Sequence, residues 1–103
     1  DAQFDSRTIP ESYINLRDVG RVPYGFSTLN IEETADMFCA KTPVIIVENQ
    51  CVIVSGATLL KAFDNLEVME YSAKAIIATK DIGPLVMISA EEVHNIEVAF
   101  NLN

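Results

Sequence analysis

Two periods of apolar residues run along the chain, and they divide it into alternating elements. Val44–Val47 and Cys51–Val54 are short, β-branched and nearly all apolar, which predicts two strands covered on both faces. The three residues between them, Glu48-Asn49-Gln50, fit a tight hairpin or a bulge, and Asn49 tolerates a left-handed turn conformation. Elsewhere the period is helical. Pro10 and Glu11 open a short helix to about Leu16, since proline in a first turn loses no hydrogen bond, and Gly20 closes the segment. Residues 21–25 then predict a short strand that enters a loop. Asn30 caps a helix over Ile31 to Ala40, with Glu32 and Glu33 at the dipole-favoured end and Lys41-Thr42-Pro43 as its stop.

The longest helical pattern starts after Ser55-Gly56, with Thr58 as cap, and runs to about Lys80. Leu59, Phe63, Leu66, Ala73 and Ile77 recur at helical spacing, and Leu60, Met69 and Ile76 widen the stripe. This stripe is the expected core face. Asp64, Glu67, Glu70 and Lys74 lie mostly off it, and Glu70 to Lys74 is the favourable order for an i,i+4 pair. Gly83-Pro84 ends the pattern. Ser89 and Glu92 form a capping box that opens a last helix to about Phe100. Residues 1–9 have no clear period. The order of elements predicts an α/β layered domain. Its three or four strands are too few to cover the long helix and both sheet faces, so residues outside the chain, or a partner chain, are expected to complete the sheet.

The length of 103 residues allows one small domain, and 50% hydrophobic content allows a core. The chain lacks an initial methionine, which reads as a fragment or a processed piece. With 15 acidic against 7 basic residues the net charge is −8. That disfavours nonspecific nucleic-acid binding and docking on anionic membranes, and the dispersed acids read as solubility. No apolar run is long enough for a membrane span, and no secretory signal opens the chain, so the cytoplasm is the expected location. Cys39 and Cys51 form no CxxC motif and read as free, partly buried thiols.

The candidate chemistry is sparse. His94 has no HxH or HExxH neighbour and reads as a surface residue of the last helix. No GxSxG elbow, phosphate-binding loop or dinucleotide fingerprint is present. Glu32-Glu33 and Glu91-Glu92 sit at helix starts, where capping explains them. The polar insert Glu48-Asn49-Gln50-Cys51, set between two apolar strands, is left as either a structural turn or the remnant of a site.

An ordered set of features resembles the C-terminal half of the class II aldolase/adducin family. Val22-Pro23-Tyr24-Gly25 precedes a short helix at Ile31-Glu32-Glu33-Thr34-Ala35. The strand, turn and strand of residues 44–54 follow, then Ser55-Gly56, then the helix carrying Leu59-Leu60-Lys61-Ala62-Phe63, Leu66-Glu67 and Ala73-Lys74. Pro84-Leu85 and Ile88-Ser89-Ala90-Glu91-Glu92 close the set. The resemblance spans about four-fifths of the chain, and it rests on the order of the pieces because no single piece is specific.

The resemblance implies a three-layer α/β/α sandwich, present here as one partial domain over residues 1–103, and a homo-oligomer, by analogy a tetramer. It implies reversible carbon–carbon cleavage of a phosphorylated ketose. In such proteins a zinc ion on three histidines acts as Lewis acid. Two of those histidines and the base belong to an N-terminal half that this chain lacks. The third belongs to an asparagine-histidine-glycine turn, and here that turn reads Asn49-Gln50-Cys51. Gln50 holds the ligand position with a weaker metal donor than imidazole. Cys51 replaces the glycine, and its thiolate would reach a metal from a different backbone position. Tyr13 falls near the place of a tyrosine that acts as catalytic acid in some members. The lost histidine also suits the adducin branch, where the fold serves assembly without catalysis.

Overall fold

The computed structural model describes residues 4–102. The elements are α1 (Pro10–Leu16), β1 (Gly20–Val22), α2 (Phe26–Leu29), α3 (Ile31–Met37), β2 (Val44–Val47), β3 (Cys51–Val54), α4 (Leu59–Thr79) and α5 (Ala90–Ala99). The chain forms a small α/β domain around a mixed sheet of order β1-β2-β3. β1 runs parallel to β2, with Gly20 opposite Ile45. β3 returns antiparallel, with Val47 opposite Cys51. No helix among the described residues is long and apolar enough to cross a membrane.

The central strand organises the core because its side chains alternate between faces. On one face Val44 joins Leu16, Val68 and Met69, with Phe4, Val19, Ile46 and Val54 packed around them. On the other, Ile45 and Val47 join Val22, flanked by Phe26, Met37, Phe38 and Ile53. The continuous apolar run of β2 is thus explained, since Val44, Ile45 and Val47 are all at most 1% exposed. β3 has the same composition but a different fate. It is an edge strand, and Cys51 and Val52 are exposed rather than covered on both faces.

Several local expectations shift for identifiable reasons. The first strand ends at Val22, because Pro23 has no N–H for the ladder. A single extra turn of helix, α2, follows the left-handed Gly25 (φ 81°). Asn30 does occupy the cap position of α3, but its side chain makes no cap bond. Its carbonyl instead accepts from both the N–H and the hydroxyl of Thr34. That helix ends at Met37, earlier than Ala40, because Cys39 and Thr42 exchange backbone hydrogen bonds in a tight turn that draws Phe38 into extended backbone. Both hairpin strands, the Thr58 cap (accepting from Lys61 N–H) and the Ser89–Glu92 capping box form as expected. The hairpin turns through Asn49 at φ 57°.

The largest correction concerns α4. Its buried residues are Asn65, Val68, Met69 and Ser72. Of the expected core stripe Met69 is buried, but most of the rest points outward: Leu59 is 89% exposed, Phe63 54%, Leu66 41% and Ile77 64%. The reason is the partner that α4 finds. α4 packs on α1, where Ser12 and Ser72 share a buried 2.6 Å hydrogen bond between their hydroxyls. Two serines allow the helices a close approach that larger side chains would block. Asn65 then donates to the Ser55 carbonyl at 2.9 Å and ties the helix to the end of β3. Gly56 is required at this junction, since a Cβ there would lie 2.6 Å from the backbone nitrogen of Ala62.

Two predictions test this α1–α4 seam. Ser12→Ala leaves the buried Ser72 hydroxyl without its partner and costs about 1–3 kcal/mol in urea unfolding, while adding Ser72→Ala costs much less than a second equal step. Tyr71 reports the same seam. The Glu11 carboxylate beside its hydroxyl, as hydrogen-bond acceptor and as charge, together with desolvation, pushes its pKa up to about 12 from 10.0. The folded state then keeps a proton that the unfolded chain loses, so this contribution to stability is present below pH 10.0 and disappears as pH rises through about 12. In a phenolate absorbance titration one tyrosine ionises late, and Glu11→Gln moves it to lower pH.

Candidate functional site

The hairpin turn is the first place to look for chemistry. Glu48 is exposed and pairs with Arg21 at 3.4 Å. Gln50 is also exposed, and its amide oxygen accepts from the Gly25 N–H at 3.0 Å. That oxygen is the atom a glutamine would offer to a metal, and here it holds the β1–α2 loop against the hairpin. Cys51 is exposed at the start of the edge strand, and Cys39 is exposed in its own turn, so neither thiol is partly buried as expected. No group of three or more His, Cys, Asp or Glu side chains that would hold a metal occurs among the described residues. His94 lies exposed on α5.

Tyr13 belongs to a different neighbourhood. It is 2% exposed, and its hydroxyl donates to the Glu97 carboxylate at 3.1 Å. The guanidinium groups of Arg7 and Arg17 lie 5.2 and 5.6 Å from its ring centroid. Arg17 also pairs with Glu97 at 3.3 Å and donates to the Leu102 carbonyl at 2.9 Å. Tyr13 and Gln50 therefore have separate sets of partners, and the fold gives each a structural duty.

A third region, unmarked by any motif, has the more promising geometry. A cleft of about 530 Å³ opens between the end of α1, the turn at 38–43 and the start of α4. Apolar walls come from Ile14, Phe38, Pro43 and Leu102. Among the described residues its charged lining residues are Arg17 and Lys61, and no carboxylate side chain lines it, in a chain of net charge −8. Two buried polar atoms of residues that line it have no hydrogen-bond partner among the described residues: Arg17 Nε, a donor, and Asn65 Oδ1, an acceptor. Cys39 stands in the same wall. Donor groups of the turn, the Lys41 backbone N–H first and then the Thr42 hydroxyl, favour its thiolate and lower its pKa from 9.0, which enriches the nucleophile at neutral pH.

Sequence reasoning missed this cleft because its residues come from five separate segments. Only their assembly makes Arg17, Lys61 and Asn65 neighbours. Comparison of the chain with family models, curated proteins and solved structures finds no match. The geometry is therefore the ground for any functional reading.

The Cys39 turn yields a direct test. Iodoacetamide modifies Cys39 faster in the folded protein at pH 7 than in the urea-unfolded chain, as read by peptide mass spectrometry. Thr42→Val removes one donor to the sulfur and slows the folded-state reaction.

Proposed function

We propose that the chain is an assembly module on a class II aldolase-like scaffold, and that it pairs with a second copy of itself through α4. The observation that supports this reading is the outward row on that helix. Leu59, Phe63, Leu66, Glu70, Ala73 and Ile77 follow one another at alternating steps of four and three residues. Such a row keeps one seam facing a partner helix along its whole length. Four of its members are large apolar side chains left in water.

Glu70 sets the orientation of the pair. It is the one acid in the row, and Lys74 already pairs with it at 3.3 Å in the same chain. A parallel pair would bring the two Glu70 carboxylates together on the seam. An antiparallel pair places each against an apolar position of the other helix and removes that repulsion. Association costs roughly 4–15 kcal/mol in lost freedom, and each large apolar side chain returns about 1.5–3 kcal/mol when fully buried. The row must engage nearly whole to hold the pair.

On this reading the two apolar clusters flanking β2 are inner seams of a three-layer sandwich that further residues complete. The tetramer expected from the resemblance would then be built from such pairs. A second reading, a zinc-dependent lyase acting on a sugar phosphate, draws on the hairpin, whose left-handed Asn49 between two paired strands suits the presentation of a ligand at Gln50. The first reading is the better supported, because the Gln50 oxygen is already engaged by Gly25.

Sedimentation analysis tests the assembly directly. The protein sediments as a dimer or a multiple of one, and Phe63→Glu shifts it to monomer at the same concentration with unchanged circular dichroism. A monomeric unaltered protein across the micromolar range rejects the reading. Lys61→Gln, on the other side of α4, leaves the assembly intact.

A further inference from the structure

We infer, resting on the assembly reading, that the two copies also join edge to edge: β3 of one runs antiparallel against β3 of the other about a two-fold axis at Ile53. The two sheets then form one continuous sheet, with the α4 helices side by side on one of its faces.

The backbone of β3 fixes which groups are free. In an antiparallel pair, hydrogen-bonded and non-hydrogen-bonded residue pairs alternate. Val44 lies opposite Val54, so Pro43 lies opposite Ser55, and the Ser55 N–H donates to the Pro43 carbonyl at 2.8 Å. By alternation Ile45–Ile53 and Val47–Cys51 are the next hydrogen-bonded pairs. Val52 and Val54 therefore turn their N–H and C=O groups away from β2. The Glu48 N–H has the matching phase, since it donates to the Val22 carbonyl on the far side of β2. Among the described residues no strand lies beyond β3, and no turn or loop backbone bonds Val52 or Val54.

Edge strands are usually blunted by a charge, a proline or a bulge. β1, the opposite edge, is protected in this way: it is short, it carries Arg21, and Pro23 follows it. β3 reads Cys-Val-Ile-Val and has none of these devices. Residues 49–60 hold no charge at all, in a chain of net charge −8. A second copy of the strand thus meets no like charge here, and the antiparallel order sends the two Glu48 side chains to opposite ends. Two identical strands in one sheet share their faces only if the axis passes a residue, so that each side chain meets one on its own side. With the axis at Ile53, Val52 of each copy exchanges both bonds with Val54 of the other, and every outward group is used. An axis at Val52 would set Val54 against Gln50, whose N–H already donates to Val47.

The same axis engages the outward row of α4. α1 occupies one flank of α4, with Ser12 on Ser72, Asn15 on Lys61 and Glu11 beside Tyr71. At about 3.6 residues per turn, Leu59, Phe63, Leu66 and Ile77 fall on the opposite flank. α1 leads directly into β1, whereas α4 contacts β3, so that flank looks past the free edge. Val68 and Met69 share one apolar cluster with Val44 of β2 and Val54 of β3. A helix centred over those two strands stands one strand spacing (about 4.8 Å) from the axis, and its copy then lies about 10 Å away, the distance of packed helices. An axis normal to the sheet also makes the two helices antiparallel, the order that Glu70 favours.

Disulfide trapping tests the register. In a Cys39→Ser, Cys51→Ser background, Ile53→Cys is expected to give a covalent dimer with oxidised glutathione. The two copies of position 53 face each other as a non-hydrogen-bonded pair, with Cα atoms about 4.5 Å apart. Val52→Cys is expected to stay unlinked, since its two copies lie diagonally, at roughly the 7 Å limit of a disulfide or beyond. Val52→Pro removes an outward N–H, a change that an edge strand tolerates. It is expected to keep the circular dichroism and to weaken dimerisation by about tenfold or more in sedimentation. In the unaltered protein the Val52 and Val54 N–H groups exchange slowly in the dimer and quickly on dilution. The edge pairing is overturned, with the α4 pairing intact, if Phe63→Glu gives monomer while Val52→Pro does not and Ile53→Cys fails to link. It is overturned as well if Val52→Cys links as readily as Ile53→Cys. A monomeric unaltered protein overturns both readings, and protected Val52 and Val54 N–H groups in that monomer would place a segment of the same chain on the edge.

Discussion

The buried guanidinium of Arg17 is the point on which the described fold turns. It sits where α1 ends, with its own backbone in the left-handed region at φ 50°. A non-glycine residue rarely holds that conformation unless its surroundings enforce it. They do so here from several directions. The Ser6 hydroxyl donates to the Arg17 carbonyl, and the Arg17 N–H closes the helix on Tyr13. The side chain then reaches Glu97 on α5 and the Leu102 carbonyl beyond it. One residue thereby fastens the start of the chain to its end. Removing one partner of such a buried ion pair typically costs about 3–5 kcal/mol, a large share of the roughly 5–15 kcal/mol that holds a small domain. Both Arg7 and Arg17 lie over the aromatic face of Tyr13, which lowers the cost of keeping the buried cation of Arg17 out of water.

The same arrangement explains why α4 turns its polar side inward. α1 has only seven residues, and it offers α4 a serine and a tightly packed leucine. A helix that docks on so short a partner gains most from close contact and from satisfied polar groups, so Ser72 and Asn65 face the interior beside Val68 and Met69. The three-stranded sheet has no further width with which to cover Leu59, Phe63 or Ile77. Their exposure follows from the geometry of the sheet, and it leaves the long helix with a face that a second helix suits.

Elements were more legible in the sequence than faces. Strands β2 and β3, the Thr58 cap and the Ser89–Glu92 box announced themselves through local chemistry: β-branched runs, a hydroxyl before a helix, a glutamate three residues on. Each signal needs only neighbours in sequence. The inward face of α4 needed knowledge of its partner; of the hydrophobic period Met69 does turn inward, but Leu59, Phe63, Leu66 and Ile77 lie on the exposed side. β2 and β3 have near-identical compositions, yet one is central and the other an edge, a difference set by strand order. The polar insert at Glu48–Cys51 drew attention because it interrupts an apolar run. The cleft drew none, because Arg17, Cys39, Lys61 and Asn65 are each unremarkable in their own stretch of chain.

The two sides of α4 place different demands on the helix, and its sequence separates them. The outward row is carried by Leu59, Phe63, Leu66 and Ile77, and its needs are shape and the absence of like charge. The inward side carries Asn65, Val68, Met69 and Ser72, and its needs are close packing and hydrogen bonds. Gly56 lets the helix start so close to β3 that Asn65 reaches the Ser55 carbonyl. That bond uses the nitrogen of Asn65 and fixes its oxygen as an acceptor without a partner. The unsatisfied oxygen is thus a consequence of how tightly α4 is docked. A looser junction would let the amide rotate and find water, and the cost of the unpaired oxygen would vanish with it.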